Sequence, residues 1–237
     1  MKAANLFAAV ASLGVMAFTA GCRSSSSSAT GSAATQEPKP AAIAETAPPP
    51  PEQAPPVAPE NVATAIFAGG CFWCMEKPFD EVPGVVATTS GYTGGTKLNP
   101  TYQEVSAGGT GHAESMRVSY DSTRVTYQQL LDVYWKNIDP TTPNRQFCDA
   151  GTQYRSAIFY QGGEQHRLAE ESKKKIQDSG RFKQPIVTEI VAATEFYPAE
   201  EYHQDFYKKD PVQYESYRLG CGRDKRLQEL WGTAAKH

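Results

Sequence analysis

The 237-residue chain predicts an α+β fold, a two-layer sandwich in which a mainly antiparallel sheet carries packed helices and long loops. Three observations lead there. Apolar runs and helical spacings follow one another in the order β-α-β-β-α-β-α-β, which begins with the split β-α-β pattern of ferredoxin-like folds. The run from His112 to Tyr120 alternates, with Met116, Val118 and Tyr120 on one face and Ser115, Arg117 and Ser119 on the other, as a half-buried strand does. Tyr127, Leu130, Leu131, Tyr134, Trp135 and Ile138 recur at helical spacing, and Thr126 with Gln129 forms a capping box in front of them.

The other elements follow from the same signals. Val62 to Ala68 is a short apolar run that reads as a strand, and Gly69-Gly70 reads as the turn after it. Met75, Phe79 and Val82 then recur at helical spacing, with Pro78 expected to kink or restart that helix. Gly84 to Gly91 is a second strand. Tyr92 to Gly111 is rich in Gly, Thr, Asn and Pro and reads as a long loop, a class that is usually functional when ordered. Asp139 to Gly151 is a second polar loop, followed by a strand from Arg155 to Tyr160 and a charged surface helix over about 164–180. A strand from Ile186 to Ala193 and a short helix from Ala199 to Lys209 complete the list, and the tail from Asp210 shows turn chemistry without a clear period.

The first 60 residues are of another kind. Lys2, the apolar stretch from Leu6 to Phe18 and the small residues Thr19-Ala20-Gly21 before Cys22 have the size of a signal peptide, too short to span a bilayer. The segment resembles a bacterial lipoprotein signal, which implies lipidation at Cys22; it departs from the usual pattern at Thr19, where an aliphatic residue is normal. Residues 23–60, with serines at 24–28 and prolines at 48–51, contain too little apolar surface to offset ordering entropy and read as a disordered spacer. Residues 61–237 are left as the folded domain. The expected address is therefore the bacterial cell envelope, with the chain exported, anchored to a membrane at Cys22 and the catalytic domain periplasmic. A formal net charge of -3 gives no argument for nucleic acid.

Chemistry concentrates at Gly69-Gly70-Cys71-Phe72-Trp73-Cys74. A strand, a glycine turn and a helix start put Cys71 where unpaired amides and the helix dipole favour an anion, so a lowered thiol pKa and a nucleophilic sulfur are expected. Phe72 and Trp73 read as the walls of a small apolar pocket. Zinc is not expected: Cys71 and Cys74 make one close pair, Cys148 and Cys221 are single, and no His-x-x-His spacing occurs.

Several further stretches extend the pattern: Ser90-Gly91-Tyr92-Thr93-Gly94-Gly95, Asn99-Pro100-Thr101-Tyr102, Gly111-His112-Ala113-Glu114, Asp139-Pro140-Thr141, Asp149 to Ile158 and Glu201 to Tyr207. Together with the Cys71 stretch, and in this order, they resemble the peptide methionine sulfoxide reductase A family through nearly all of 61–237. The resemblance implies a peptide-methionine (S)-S-oxide reductase that repairs oxidised methionine, in proteins, in peptides or free, without a bound cofactor. It implies Cys71 as nucleophile, Glu114 as proton donor, Tyr102 and Tyr154 as donors to the sulfoxide oxygen, Asp149 as an orienting group, and Phe72 and Trp73 around the methyl group. Burial should raise the pKa of Glu114 so that it arrives protonated.

Attack leaves Cys71 as a sulfenic acid, which condenses with a nearby thiol. Cys74, one helical turn away, is the first choice of resolving cysteine, Cys221 the second as a relay, and Cys148 the third. Thioredoxin or a thioredoxin-like dithiol would supply the electrons, and a monomer is expected. Two rival readings stand beside this one. A thiol-disulfide oxidoreductase using Cys71 and Cys74 would have no need of Glu114. A non-enzymatic envelope lipoprotein would be indifferent to Cys71→Ser.

Overall fold

A computed structural model describes residues 58–232. The signal segment, Cys22 and the spacer up to residue 57 lie outside the described residues. After a 3-10 turn at Pro59–Asn61 the chain runs through β1 (Val62–Gly69), α1 (Phe72–Asp80), β2 (Val85–Thr93), α2 (Tyr102–Ser106), β3 (Ala113–Asp121) and α3 (Tyr127–Lys136). It continues through a small hairpin, β4 (Arg145–Gln146) and β5 (Asp149–Ala150), then β6 (Ser156–Tyr160), α4 (Gly162–Asp178), β7 (Glu189–Ala192) and β8 (Tyr197–Pro198). Three helices follow: α5 (Phe206–Lys209), α6 (Pro211–Gly220) and α7 (Arg223–Trp231).

The main sheet has the order β7-β6-β1-β3-β2-β8. β1 lies antiparallel to both β3 and β6, β2 is antiparallel to β3 and β8, and the β6–β7 pair is parallel. β3 separates β1 from β2, and β1 separates β3 from β6, so the central four strands are the split β-α-β arrangement predicted from the element order. α4 makes the crossover that a parallel β6–β7 pair requires.

Alternation along β1 builds the core. Ala65 and Phe67 join the larger cluster with Met75, Phe79, Leu130, Leu131 and Tyr134, while Ile66 and Ala68 join a smaller one with Ala113, Ala157 and Phe159. Phe67 stacks on Phe79 at 5.2 Å and on Tyr134 at 5.0 Å, which ties α1 and α3 to the sheet. The capping box of α3 forms as its sequence suggests, Thr126 accepting from the Gln129 amide.

The local reading needs four corrections. α1 runs as one helix through Pro78 and ends two residues later at Asp80, so the proline does not restart it. The long loop after β2 contains α2, opened by a capping box of Thr101 and Glu104. The helix expected over 199–209 is broken into a 3-10 turn at Glu201–His203 and the four residues of α5, with Asp205 between them at φ 52°. The tail is not irregular: Asp210 caps α6 with Pro211 in its first turn, and Leu227, Leu230 and Trp231 bury the inner face of α7.

Candidate active site

The site grows from the end of β1. Gly70 has φ +82°, and a Cβ there would lie 2.5 Å from the Cβ of Gln146, so the turn admits only glycine without displacement. The turn delivers Cys71 as the N-cap of α1, the position expected from sequence. Its electrostatics differ from that expectation. The first-turn amide of Phe72 donates to Glu114 Oε2 at 3.1 Å, so a carboxyl group, and not the thiol, occupies the helix terminus. Cys71 is 6% exposed, and burial pushes its thiol up. Its neighbour Cys74 is drawn down to about 7, chiefly by a hydrogen bond with Cys71 and further by Arg223 and Arg218, against burial. The two thiols thus share a proton and titrate as a pair, one sulfur ionising at the expense of the other.

Glu114 sits near the start of β3, opposite Tyr92 on β2, and is 2% exposed. Burial raises it to about 8, helped by Asp149 and Cys74 and opposed by the Phe72 amide. It is therefore a neutral carboxylic acid at neutral pH and has a proton to give.

Tyr102 opens α2, with its backbone amide donating to Glu200 Oε1 at 2.8 Å; Glu200 Oε2 accepts from the Tyr92 hydroxyl at 2.9 Å. Tyr154 closes a 3-10 turn at Thr152–Tyr154, held to α2 by a bond from Gln153 Nε2 to the Ser106 carbonyl at 3.0 Å. Burial raises both phenols, Tyr102 to about 12, so both remain donors. Asp149, in β5, is raised by burial and accepts a hydrogen bond from the hydroxyl of Tyr217.

These groups converge on one cavity of about 130 Å³, lined by Cys71, Phe72, Trp73, Tyr102, Glu114, Asp149, Tyr154 and Tyr217. Seven of the eight were singled out from sequence; Tyr217, on α6, was not. Trp73 is fixed from behind: its indole N–H donates to His203 Nδ1 at 3.0 Å, and its ring stacks on Phe206 at 3.8 Å. Because Nδ1 accepts, His203 carries its proton on Nε2, which is buried without a partner. Asp210-Pro211 and the apolar spacing of Leu227, Leu230 and Trp231 were the available signals for the helices that bring Tyr217 in.

Among the described residues the cysteines fall into two pairs. Cys71 and Cys74 are buried free thiols. Cys148 and Cys221, 73 residues apart, form a disulfide beside Asp149, a pairing the sequence did not suggest. An aromatic-walled cavity holding a thiol, a protonated carboxyl and three phenols suits attack on a sulfur atom whose oxygen must leave with protons.

The family model described as peptide methionine sulfoxide reductase matches residues 63–235. A peptide methionine sulfoxide reductase MsrA of Bacillus licheniformis is 56% identical over 173 residues, which are 73% of this chain and 96% of that protein. One from Listeria monocytogenes is 52% identical over 172 residues, 73% of this chain and 97% of its own. Among solved structures, methionine sulfoxide reductase A of Corynebacterium diphtheriae matches with TM-score 0.58 and 39% identity, covering 64% of this chain and 76% of that one. Mxr1 of Saccharomyces cerevisiae in reduced form matches with TM-score 0.62 and 32% identity, covering 66% and 90%. With its sheet, its cavity and the matched span in agreement, the chain belongs to the peptide methionine sulfoxide reductase A family.

Proposed function

We propose the following assignment of roles for methionine sulfoxide reduction by this chain. The Cys71 sulfur attacks the sulfoxide sulfur while Glu114 gives its proton to the sulfoxide oxygen, and Tyr102 and Tyr154 donate hydrogen bonds to that oxygen. Asp149, bonded to Tyr217, orients the bound group. Phe72 and Trp73 enclose the methyl group, where a small apolar wall favours CH₃ over water. The sulfur–oxygen bond breaks, methionine leaves, and Cys71 carries the oxygen as a sulfenic acid.

The Cys74 thiol then attacks Cys71 Sγ, the oxygen departs as water, and a Cys71–Cys74 disulfide remains. Cys74 is the free thiol one helical turn from Cys71, which favours it as the resolving group. Cys221, joined to exposed Cys148, is the relay through which a thioredoxin-like dithiol returns two electrons. The substrate is the S epimer, free or in a peptide. Export, a lipid anchor at Cys22, an envelope location and a monomeric state complete the reading and rest on the N-terminal sequence and the size of the domain.

The observation that carries the role assignment is the neutral, buried Glu114 within the same 130 Å³ cavity as Cys71. The test is reduction of the separated epimers of a blocked methionine sulfoxide with dithiothreitol, for the wild type, Cys71→Ser and Glu114→Gln. Turnover of the S epimer alone, absent in Cys71→Ser and strongly reduced in Glu114→Gln, is the expected result. Full activity in Glu114→Gln would overturn the proton-donor role, and no sulfoxide turnover from the folded wild type would favour simple disulfide exchange by Cys71 and Cys74.

A further inference from the structure

The tail contributes one more group, Arg223, the first residue of α7. It is 1% exposed and lies directly behind the nucleophile's turn. Its Nη2 donates to the carbonyl of Gly69 at 3.1 Å and to that of Asn137, at the C-terminal end of α3, at 2.7 Å. Its guanidinium stacks over the Phe147 ring at 4.5 Å, and Nε is buried without a partner. A buried cation normally has an acid beside it, because desolvation of an isolated charge costs far more than carbonyl dipoles return.

Here the nearby acids are committed elsewhere. Asp224 pairs with Arg218, Asp139 pairs with Arg226, and Asp149 accepts from Tyr217. Among the described residues no carboxylate forms an ion pair with Arg223. Within its electrostatic reach lie the Cys71–Cys74 pair, Cys74 more strongly than Cys71, and Asp149, whose hydrogen-bond partner Tyr217 is uncharged.

We propose that Arg223 is a positioning residue for the reaction: its buried guanidinium is the counter-charge of the Cys71–Cys74 pair, and its bond to the Gly69 carbonyl holds the turn that aims Cys71 into the cavity. The proposal rests on Cys71 being the attacking sulfur. Loss of one proton from the pair to solvent leaves a thiolate whose charge Arg223 offsets. Other groups face the same sulfurs: Glu114 from β3, Asp149 from β5, Tyr102 from α2, Tyr154 from its 3-10 turn, and Tyr217 and Arg218 from α6. At neutral pH Glu114 and the phenols are uncharged, so Arg223, with Arg218 behind it, opposes Asp149. Arg223 follows Cys221 by two residues, so the same short segment carries the disulfide and the counter-charge.

The experiment is a pH titration of thiolate absorbance in the full chain with Cys148–Cys221 oxidised, comparing wild type, Arg223→Met and Arg223→Lys. Removing a cation a few ångströms from a thiolate raises its midpoint by about 1–3 pH units. Arg223→Met should show that rise together with a matching displacement of the rising limb of the pH–rate profile, and Arg223→Lys should recover most of it. An unchanged midpoint in folded Arg223→Met would overturn the proposal. If Arg223→Met does not fold, the reciprocal variant decides: Cys71→Ser/Cys74→Ser leaves Arg223 buried without an anion.

A thiol ionising more readily when folded than when unfolded adds stability as pH rises through the folded and then the unfolded midpoint. The gap in thermal stability between wild type and the double variant should therefore widen from about pH 7 toward the unfolded thiol range near about 8.5, and a constant gap over that window would overturn the proposal. Absence of sulfoxide turnover in the wild type itself would instead strike at the role of Cys71, which separates the two failures.

Discussion

The two cysteine pairs of this chain are built for opposite tasks. Cys71 and Cys74 lie three residues apart on one helix end, buried, sharing a proton and backed by arginines. Cys148 and Cys221 are brought together across 73 residues, with Cys148 exposed and a covalent bond already formed. The first pair lies in a narrow cavity that a methionine sulfoxide side chain can enter. The second is available to a protein. Burial tunes reactivity in one place and exposure provides access in the other, which is the contrast that the proposed separation of substrate and reductant chemistry rests on.

The comparison can be broken at its strongest point first. Cys71→Ser should abolish turnover with any reductant, measured by release of methionine. Glu114→Gln should retain the fold and lose about 10²–10⁴ of the rate, the range that a positioned acid supplies. Its pH behaviour sharpens the point: in the wild type the rate should rise as the thiol pair ionises near 7 and fall as Glu114 loses its proton near 8. In Glu114→Gln the falling limb should vanish.

Stability gives an independent reading of the same carboxyl. An unfolded Glu ionises near about 4.3, whereas the folded Glu114 keeps its proton to about 8. Between those values the folded state binds the extra proton, so its contribution to stability declines as pH rises and levels off above 8. A melting series from pH 5 to 9 should show Glu114→Gln gaining on wild type across that window.

The exposed pair is tested next. Cys148→Ser/Cys221→Ser removes a cross-link closing a long loop, at a cost of roughly 2–5 kcal/mol in the unfolding free energy. Turnover supported by dithiothreitol should persist, while turnover supported by a thioredoxin-like protein should fall. Equal activity with both reductants would erase the division of labour. The smallest expected effect lies behind Trp73. Glu76, buried on α1, accepts the Asp205 amide at 3.0 Å and so holds the turn that carries His203 and Phe206 against the indole. Glu76→Ala should cost about 1–3 kcal/mol by orphaning that amide and should raise KM more than it lowers kcat.

What could be read from the chain alone was whatever local spacing encodes. The strand, the double glycine and the helix start around Cys71 are contiguous, and so is the alternation of β3. The capping box of α3 lies within four residues. Each is dictated by sterics and periodicity over a few positions, so the central sheet and the place of the nucleophile were legible. The charge state of the thiol was not, because it depends on Glu114 taking the Phe72 amide from 42 positions away.

The tail was misread for a related reason. α6 and α7 have polar outer faces and short apolar stripes that gain meaning only against α1 and the end of α3, so Tyr217 and Arg223 carried no local signal of their destinations. Pairing of Cys148 with Cys221 was likewise a matter of which loops meet in space. Sequence by itself determined the central strands, the helices α1 and α3, the nucleophile's turn and most of the chemical types in the cavity, since those follow from short-range backbone preference and side-chain chemistry. Tertiary structure alone decided which thiols are buried, which are joined and where the counter-charge stands, since desolvation and contact are properties of the packed whole.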